Sequence, residues 1–241
     1  MIRLGTVALF AVITAAAGPL EAKTVQFSGY SWTVRDGGYG SPGDNAWSAD
    51  NVFVDASGAL HVKLTYVGGV WRAAELYTDQ PLGFGTYQFE IANDVSGLDP
   101  NVVLGLFSYP TPDVGPDRTN EIDIEIARWA NPANKNLNYT VWPVLQQVGQ
   151  SAATFTLAPY GRLSATHSFT WTSTAIHFSS WVGHGQPGSH RIADVTYAPQ
   201  DYAARISQSP MPLHINLWSH PVPSDGRPVE VIIRRFTFQP Q

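Results

Sequence analysis

Three acidic residues stand two apart in the stretch TNEIDIEIARW. They are Glu121, Asp123 and Glu125, in a chain where only 14% of residues are charged. Paired carboxylates are the reagents of glycosidic bond cleavage, one as nucleophile or base and the other as acid. On a β-strand, residues i, i+2 and i+4 project from one face, so the three acids share a side and Ile122, Ile124 and Ile126 share the other. Four strand steps separate the outer two Cα atoms by about 13 Å. Side chains leaning together on a curved sheet close that gap toward the roughly 5–5.5 Å of a retaining pair; an inverting pair stands about 6.5–9.5 Å apart. Like charges so close raise at least one pKa, which keeps a general acid protonated near neutrality. The same pattern also describes a solvated acidic strand face or a site for a hard cation such as calcium. The residues by themselves leave these three readings open.

Such a strand needs a sheet to position it. After Lys23 no long helical periodicity occurs, and short alternating runs recur between turn signals. GALHVKLTYV puts Leu60, Val62, Leu64 and Tyr66 on one face, and GTYQFEIAN does the same with Tyr87, Phe89 and Ile91. NVVLGLFSY is more continuously apolar, and NLNYTVW, HSFTWTSTAIHFSSWVG, MPLHINLW and VEVIIRRFTF continue the series. Clusters such as RDGGYGSPGDN, TPDVGPD, NPANKN, GHGQPGS and VPSDGRP separate the runs. This pattern predicts an all-β sandwich or barrel. No linker, repeat or shift in composition divides residues 23–241, which read as one domain. The eight tryptophans are spread along the chain. Each is either core or a platform on which the apolar C–H face of a sugar ring stacks.

Composition narrows the function classes. With 44% hydrophobic residues in 241, the chain has enough apolar surface for a globular core. Cysteine is absent, which excludes disulfides, thiolate metal sites and a cysteine nucleophile. The formal net charge is −5 and the pI about 5.7, without the clustered Lys and Arg of a nucleic-acid or anionic-membrane surface. A polyanionic substrate is disfavoured on the same ground. His177, His184 and His190 lack metal-ligand spacing. Asn138 opens the glycosylation sequon NYT. At the N-terminus, Arg3 precedes an apolar run from Leu4 to about Ala17, followed by small residues. Residues 1–22 are therefore expected to be a secretory signal peptide, shorter than the about 20 apolar residues of a membrane span. The protein is expected to work outside the cytoplasm, extracellular or periplasmic.

The acidic stretch and its surroundings resemble glycoside hydrolase family 16, the secreted β-glucanase and lichenase group. EIDIE resembles the family's catalytic motif. AELYT with GFGTYQFEI, LGLFSY, HSFTWTSTAIHFSSWVG, MPLHINLW and VEVIIRRFTF resemble other family segments in the same order, over nearly all of residues 23–241. The resemblance implies a β-jelly-roll sandwich of two antiparallel sheets with a concave substrate cleft, and a retaining double displacement. Glu121 would be the nucleophile, Glu125 the general acid and then base, and Asp123 a hydrogen-bonding assistant. Asn45, Glu75, Tyr109, Asn216 and Trp218 fall where family members bind glucosyl units. His220, two residues after Trp218, is also placed along the cleft. Two departures stand out: DRTN replaces a region that often carries a Trp, and IARWAN replaces the FLG of lichenases. Arg128 and Trp129 are expected to form a substitute wall, with Trp129 as a stacking platform. A calcium-binding Asp of lichenases aligns with Ile232, so neither a metal ion nor another cofactor is expected. The implied partner is a polysaccharide, met by a monomer that binds neither nucleic acid nor membrane. A transglycosylase using the same residues, a lectin-like binding protein and a calcium-stabilised structural β-protein are the alternatives.

Overall fold

Alternation of β-branched and aromatic residues with polar ones makes strands half-buried on one face, and that pattern dominates the computed structural model. It describes residues 22–43, 45–185 and 190–241; apart from Ala22, the expected signal peptide lies outside the described residues. The strands are β1 (Thr24–Phe27), β2 (Tyr30–Val34), β3 (Tyr39–Gly40), β4 (Asn45–Trp47), β5 (Val52–Val54) and β6 (Leu60–Val67). Then come β7 (Val70–Thr78), β8 (Gly85–Ile91), β9 (Val102–Ser108), β10 (Ile122–Ala127), β11 (Leu137–Val141) and β12 (Gln150–Phe155). The last are β13 (Ala165–Trp171), β14 (Ile176–Val182), β15 (Arg191–Tyr197), β16 (Leu213–Ser219) and β17 (Val229–Pro240). A single helical turn, α1 (Tyr202–Arg205), precedes β16.

The strands pack as a jelly-roll sandwich. One sheet runs β1-β2-β7-β16-β9-β10-β11-β12. The other runs β5-β6-β17-β8-β13-β14-β15. The β6–β7 hairpin passes between them. Pairing is antiparallel with one departure from the expectation: β4 lies parallel to β7, through Ala46 with Arg72 and Trp47 with Ala73. The reason is length. β2 and β16 pair with the second half of β7, which leaves an edge of its first half for β4 to cover.

Ile122, Ile124 and Ile126 enter the core together with Leu104, Leu106, Ile215 and Leu217 of the neighbouring strands. They meet Tyr87, Phe89, Phe169, Phe178 and Phe236 of the second sheet. Tyr139 of β11 stacks on Phe178 of β14 with ring centroids 4.7 Å apart. Each such side chain contributes about 1.5–3 kcal/mol by burial. Leu60, Val62 and Leu64 are core as expected, but Tyr66 is 57% exposed. There β6 runs past the sandwich into its hairpin with β7, and Tyr66 rests on Trp71 instead.

One polar chain crosses this apolar layer. The Tyr139 hydroxyl lies 2.6 Å from Ser180 Oγ, which lies 2.8 Å from His167 Nδ1. His167 is fully buried and its Nε2 has no partner among the described residues. Burial pushes the imidazole pKa down to about 4, because a charge here would have no water. Among the described residues no helix is long and apolar enough to cross a membrane.

Candidate active site

Register carries the acids of β10 into two rows across the first sheet. One row reads Asn138, Glu125, Gly105, Asn216, Glu75, from β11 through β10, β9 and β16 to β7. The next reads Thr140, Asp123, Phe107, His214, Tyr77. The residues between them on each strand are the core side chains already named, so both rows face away from the core. Glu121 stands one step before β10, its carbonyl accepting the Trp142 N–H at 2.8 Å. The backbone turns left-handed at both ends of this segment, at Arg118 and Asn120 before it and at Trp129 and Ala130 after it. The acids thus sit on a rigid strand between two sharp reversals of direction.

Gly105 keeps the first row open. A Cβ there would lie 2.5 Å from Asn216 Oδ1, closer than such atoms approach. Gly105→Ala is expected to displace Asn216, with a loss of about 1–3 kcal/mol from overpacking. Urea melts of the variant check the effect; a wild-type value would refute the packing argument.

The three carboxyls divide their protons unequally. Asp123 is 2% exposed, and Glu121 and Glu125 are half-buried. Asp123 Oδ2 accepts the indole N–H of Trp142 at 2.9 Å. Its buried Oδ1 has no donor while both neighbours are carboxylates. A proton held on Asp123 and shared with Glu121 satisfies that oxygen. Burial pushes Asp123 well above the carboxylate range, reinforced by the charge of Glu121 and by this hydrogen bond, against the pull of Trp142. Burial likewise raises Glu125 well above its usual range, with the charge of Asp123 adding to it. Glu121 is pushed up to about 8 by burial and by Glu125 and Glu75, but its hydrogen bond with Asp123 and the Arg118 charge pull it back. Of the three, Glu121 gives up its proton first. An acidic strand face freely open to water would not show this: burial favours one ionisable group beside two held protonated.

The other expected residues are placed as follows. Tyr109 lies beside Glu121; burial and then the charges of Glu121 and Asp117 push its hydroxyl pKa up to about 12. Asn216 and Glu75 lie in the row of Glu125. Trp218 is on the same strand face two residues beyond Asn216, and Trp129, 45% exposed, stands over it with ring centroids 6.5 Å apart. Trp129 also edges a groove of about 460 Å³ with Asn134, Lys135, Asn138 and Thr154. Asn45 has its amide committed to the fold, donating to Pro42 O at 2.7 Å and accepting from Ser219 N at 3.3 Å. Its turn packs against Trp218 and His220 near Gly43. Arg128 does not join Trp129 as a cleft wall. Its guanidinium donates to the carbonyls of Leu98 and Ser96 at 3.0 and 3.2 Å, because those carbonyls lack strand partners. Asn138 donates from Nδ2 to the carbonyls of Ala127 and Glu125, at 2.9 and 3.3 Å.

Four neighbours of the acids escaped the sequence reading: Trp142, Phe107, His214 and Arg35. His214 lies two residues before Asn216, so strand alternation alone points to it. Arg35 carries no such signal; it reaches Glu75 across 40 residues of chain. Among the described residues, no group of three or more His, Cys, Asp or Glu side chains is arranged to hold a metal ion.

The sequence matches no family model and no curated relative. Solved structures match the fold. A Bacillus licheniformis β-glucanase superposes with a TM-score of 0.63 at 21% identity, over 93% of this chain and 100% of that one. A β-1,3-1,4-glucanase (lichenase) from a mouse hindgut metagenome gives 0.63 at 19% identity, over 87% and 93%. A Mycobacterium tuberculosis protein described as an immunostimulatory antigen and pseudo β-1,3-glucanase gives 0.63 at 15%, over 86% and 91%. This chain has the fold that those proteins share.

Proposed function

We propose that this chain is a secreted, retaining endo-glycoside hydrolase of the family 16 type, cutting a neutral β-glucan-like polysaccharide. The observation that carries the reading is the placement of Glu121, Asp123 and Glu125 along one strand on the face away from the core, with buried Asp123 between two half-buried glutamates. In the first step, ionised Glu121 attacks the anomeric carbon while Glu125 passes its proton to the departing glycosidic oxygen. The C–O bond breaks and a glycosyl ester forms on Glu121. In the second, Glu125, now a carboxylate, takes a proton from water, whose oxygen attacks the same carbon and releases Glu121. Asp123 holds the shared proton throughout and steadies the charge on Glu121. Tyr109, Glu75, Asn216, Trp218, Trp129 and Asn45 line or brace the path of the sugar chain. The chemistry needs no metal or cofactor. Residues 1–22 serve as the export signal, and residues 23–241 act as a monomer.

A second reading has one observation in its favour: one neighbour of the same fold is described as a pseudo β-1,3-glucanase. On that reading the cleft binds glucan without cutting it. Incubating the mature protein with lichenan, laminarin, xyloglucan and agarose separates the two. Release of the retained anomer, followed by NMR, supports the hydrolase. Binding without turnover on every polymer supports the second reading, and oligosaccharides longer than the substrate mark a transglycosylase. The pH profile follows from the acids. Activity needs Glu121 ionised and Glu125 protonated, so kcat/KM rises with pH as Glu121 loses its proton. That limb is expected above the about 4.3 of a free Glu, toward about 8. Half-maximal activity below pH 5 would overturn the proton assignment.

A further inference from the structure

The cleft face carries one chain of charged groups that the two chemical steps do not use. Arg35 Nη1 lies 2.7 Å from Glu75 Oε2, and His214 Nδ1 lies 3.0 Å from Glu75 Oε1. Both oxygens of Glu75 are therefore occupied. Burial by itself would raise this carboxyl, but the hydrogen bonds and charges of His214 and Arg35 outweigh it and hold it below its usual range. Glu75 is then an acceptor only, so Nδ1 of His214 carries a hydrogen and Nε2 is the ring atom left to hydrogen-bond outward. That Nε2 has no protein partner among the described residues. Unlike Nε2 of His167, it is not one of the sealed atoms, and the side chain keeps 13% of its surface.

The ring has no freedom to turn away. It stacks on Tyr77 at 5.1 Å and 24°, touches Phe107 at 5.1 Å, and meets Tyr109 at 5.6 Å. Packing on three aromatic neighbours and a bond to a clamped carboxylate fix both its plane and its tautomer. It lies in the row of Asp123 with only Phe107 between them. Two strand spacings put its Cα about 10 Å from that of Asp123. A sugar unit bound one step along from the reacting one would lie over the Phe107–His214–Tyr77 rings.

We propose that His214 is a substrate-positioning and specificity-determining residue: its Nε2 makes a hydrogen bond with a free hydroxyl of a neutral sugar unit beside the scissile bond. This rests on the glycoside hydrolase reading. Glu75 and Arg35 act through His214 as its orienting pair. The aromatic rings supply the apolar surface under the sugar, and Nε2 supplies the directional contact.

His214→Phe keeps the ring stack and removes the hydrogen-bonding atom. On the glucan that wild type cuts fastest, it is expected to raise KM about ten-fold, the effect of one neutral hydrogen bond. Its kcat stays within about two-fold, and the melting temperature falls by a few degrees at most, because Glu75 Oε1 loses one donor but keeps Arg35 on its other oxygen. His214→Gln, whose amide reaches the position of Nε2, recovers most of the loss. Glu75→Gln raises KM by a similar factor, and the double variant with His214→Phe is no worse than the worse single one, because the two act as a unit. An unchanged KM in His214→Phe overturns the proposal, as does a KM in His214→Gln as high as that in His214→Phe. If wild type cuts no glucan, the hydrolase reading fails and the His214 claim is read from calorimetric binding of cellotetraose and laminaritetraose. Affinity about ten-fold weaker in His214→Phe supports it, and equal affinity, or no binding to wild type, overturns it.

Discussion

On the proposed mechanism, Glu121→Ala is expected to lower kcat on a soluble β-glucan by about 10⁴- to 10⁶-fold, the range seen when a covalent nucleophile is removed. At about 1.4 kcal/mol per decade, that is about 5–8 kcal/mol of lost transition-state stabilisation. The fold does not suffer for it. Glu121 keeps its proton to about pH 8 in the folded chain and to about 4.3 in the unfolded one. A raised acid of this kind stabilises the fold fully below its unfolded pKa, and that contribution is lost as pH rises through the folded value. At neutral pH and above, removing the carboxyl therefore leaves the melting temperature unchanged or raises it. The vacated space also permits a chemical test. Azide added to Glu121→Ala attacks the anomeric carbon directly and gives a glycosyl azide of inverted configuration. In Glu125→Ala, azide takes the place of water in the second step, and the product keeps the configuration of the substrate. NMR of the two products assigns the two roles independently. Residual activity within ten-fold of wild type in Glu121→Ala would remove this residue from the mechanism.

Acidification from pH 7 to pH 4 costs the fold about 3 kcal/mol through one buried side chain, His167. Its pKa is held down to about 4 by burial, against about 6.5 in an unfolded chain. Below pH 6.5 the unfolded state binds a proton that the folded state refuses. Stability therefore falls as pH drops from 6.5 toward 4 and levels off once both states are protonated. The difference of about 2.5 pKa units at about 1.4 kcal/mol each gives about 3.5 kcal/mol in full, and most of it, about 3 kcal/mol, is lost by pH 4, where the folded imidazole is half protonated. His167→Phe replaces the imidazole with an apolar ring among Phe169, Phe89 and Tyr139, and leaves Ser180 its bond to Tyr139. Urea unfolding of wild type and variant at pH 7, 5.5 and 4 isolates the contribution, because the carboxylates held low elsewhere, such as Asp94 and Asp99, are common to both. Parallel pH dependences would show that His167 does not titrate across folding.

The acids were legible because a period of two is a local property. Glu121, Asp123 and Glu125 alternate with three isoleucines, and the sandwich needs an apolar face and an open one. The same logic recovered Tyr87, Phe89 and Ile91. It failed at Tyr66, where the alternation continues after the sheet beneath it has ended. What alternation does not encode is which strand lies beside which. Glu75 and Asn216 are neighbours in the sheet although 141 positions separate their numbers, and register between such strands is set by the pattern of the whole core. The roles of His214, Arg35 and Trp142 depend on that non-local pairing. The resemblance marked Asn45 as a place where family members bind sugar, and the residues marked it as a turn; its hydrogen bonds show that the turn claims both ends of its amide. Arg128 illustrates the same limit, since a charged residue beside a cleft is equally suited to cap loop carbonyls.

The amide of Asn138 gives this molecule a constraint on where it can be produced. The sequon NYT is open to oligosaccharyltransferase only while the chain is still emerging, before β10 and β11 pair. A glycan on Nδ2 would then occupy the nitrogen that bonds the carbonyls of Glu125 and Ala127, and its bulk would sit between the acid strand and its neighbour. In a eukaryotic secretory host, glycosylation and folding compete for one atom, and each chain that loses the race is a candidate for retention and degradation. Asn138→Gln does not escape the conflict cleanly, since its longer side chain must refit the same two carbonyls. Thr140→Ala removes the sequon without touching the amide, and is the substitution to make before expressing this chain in yeast.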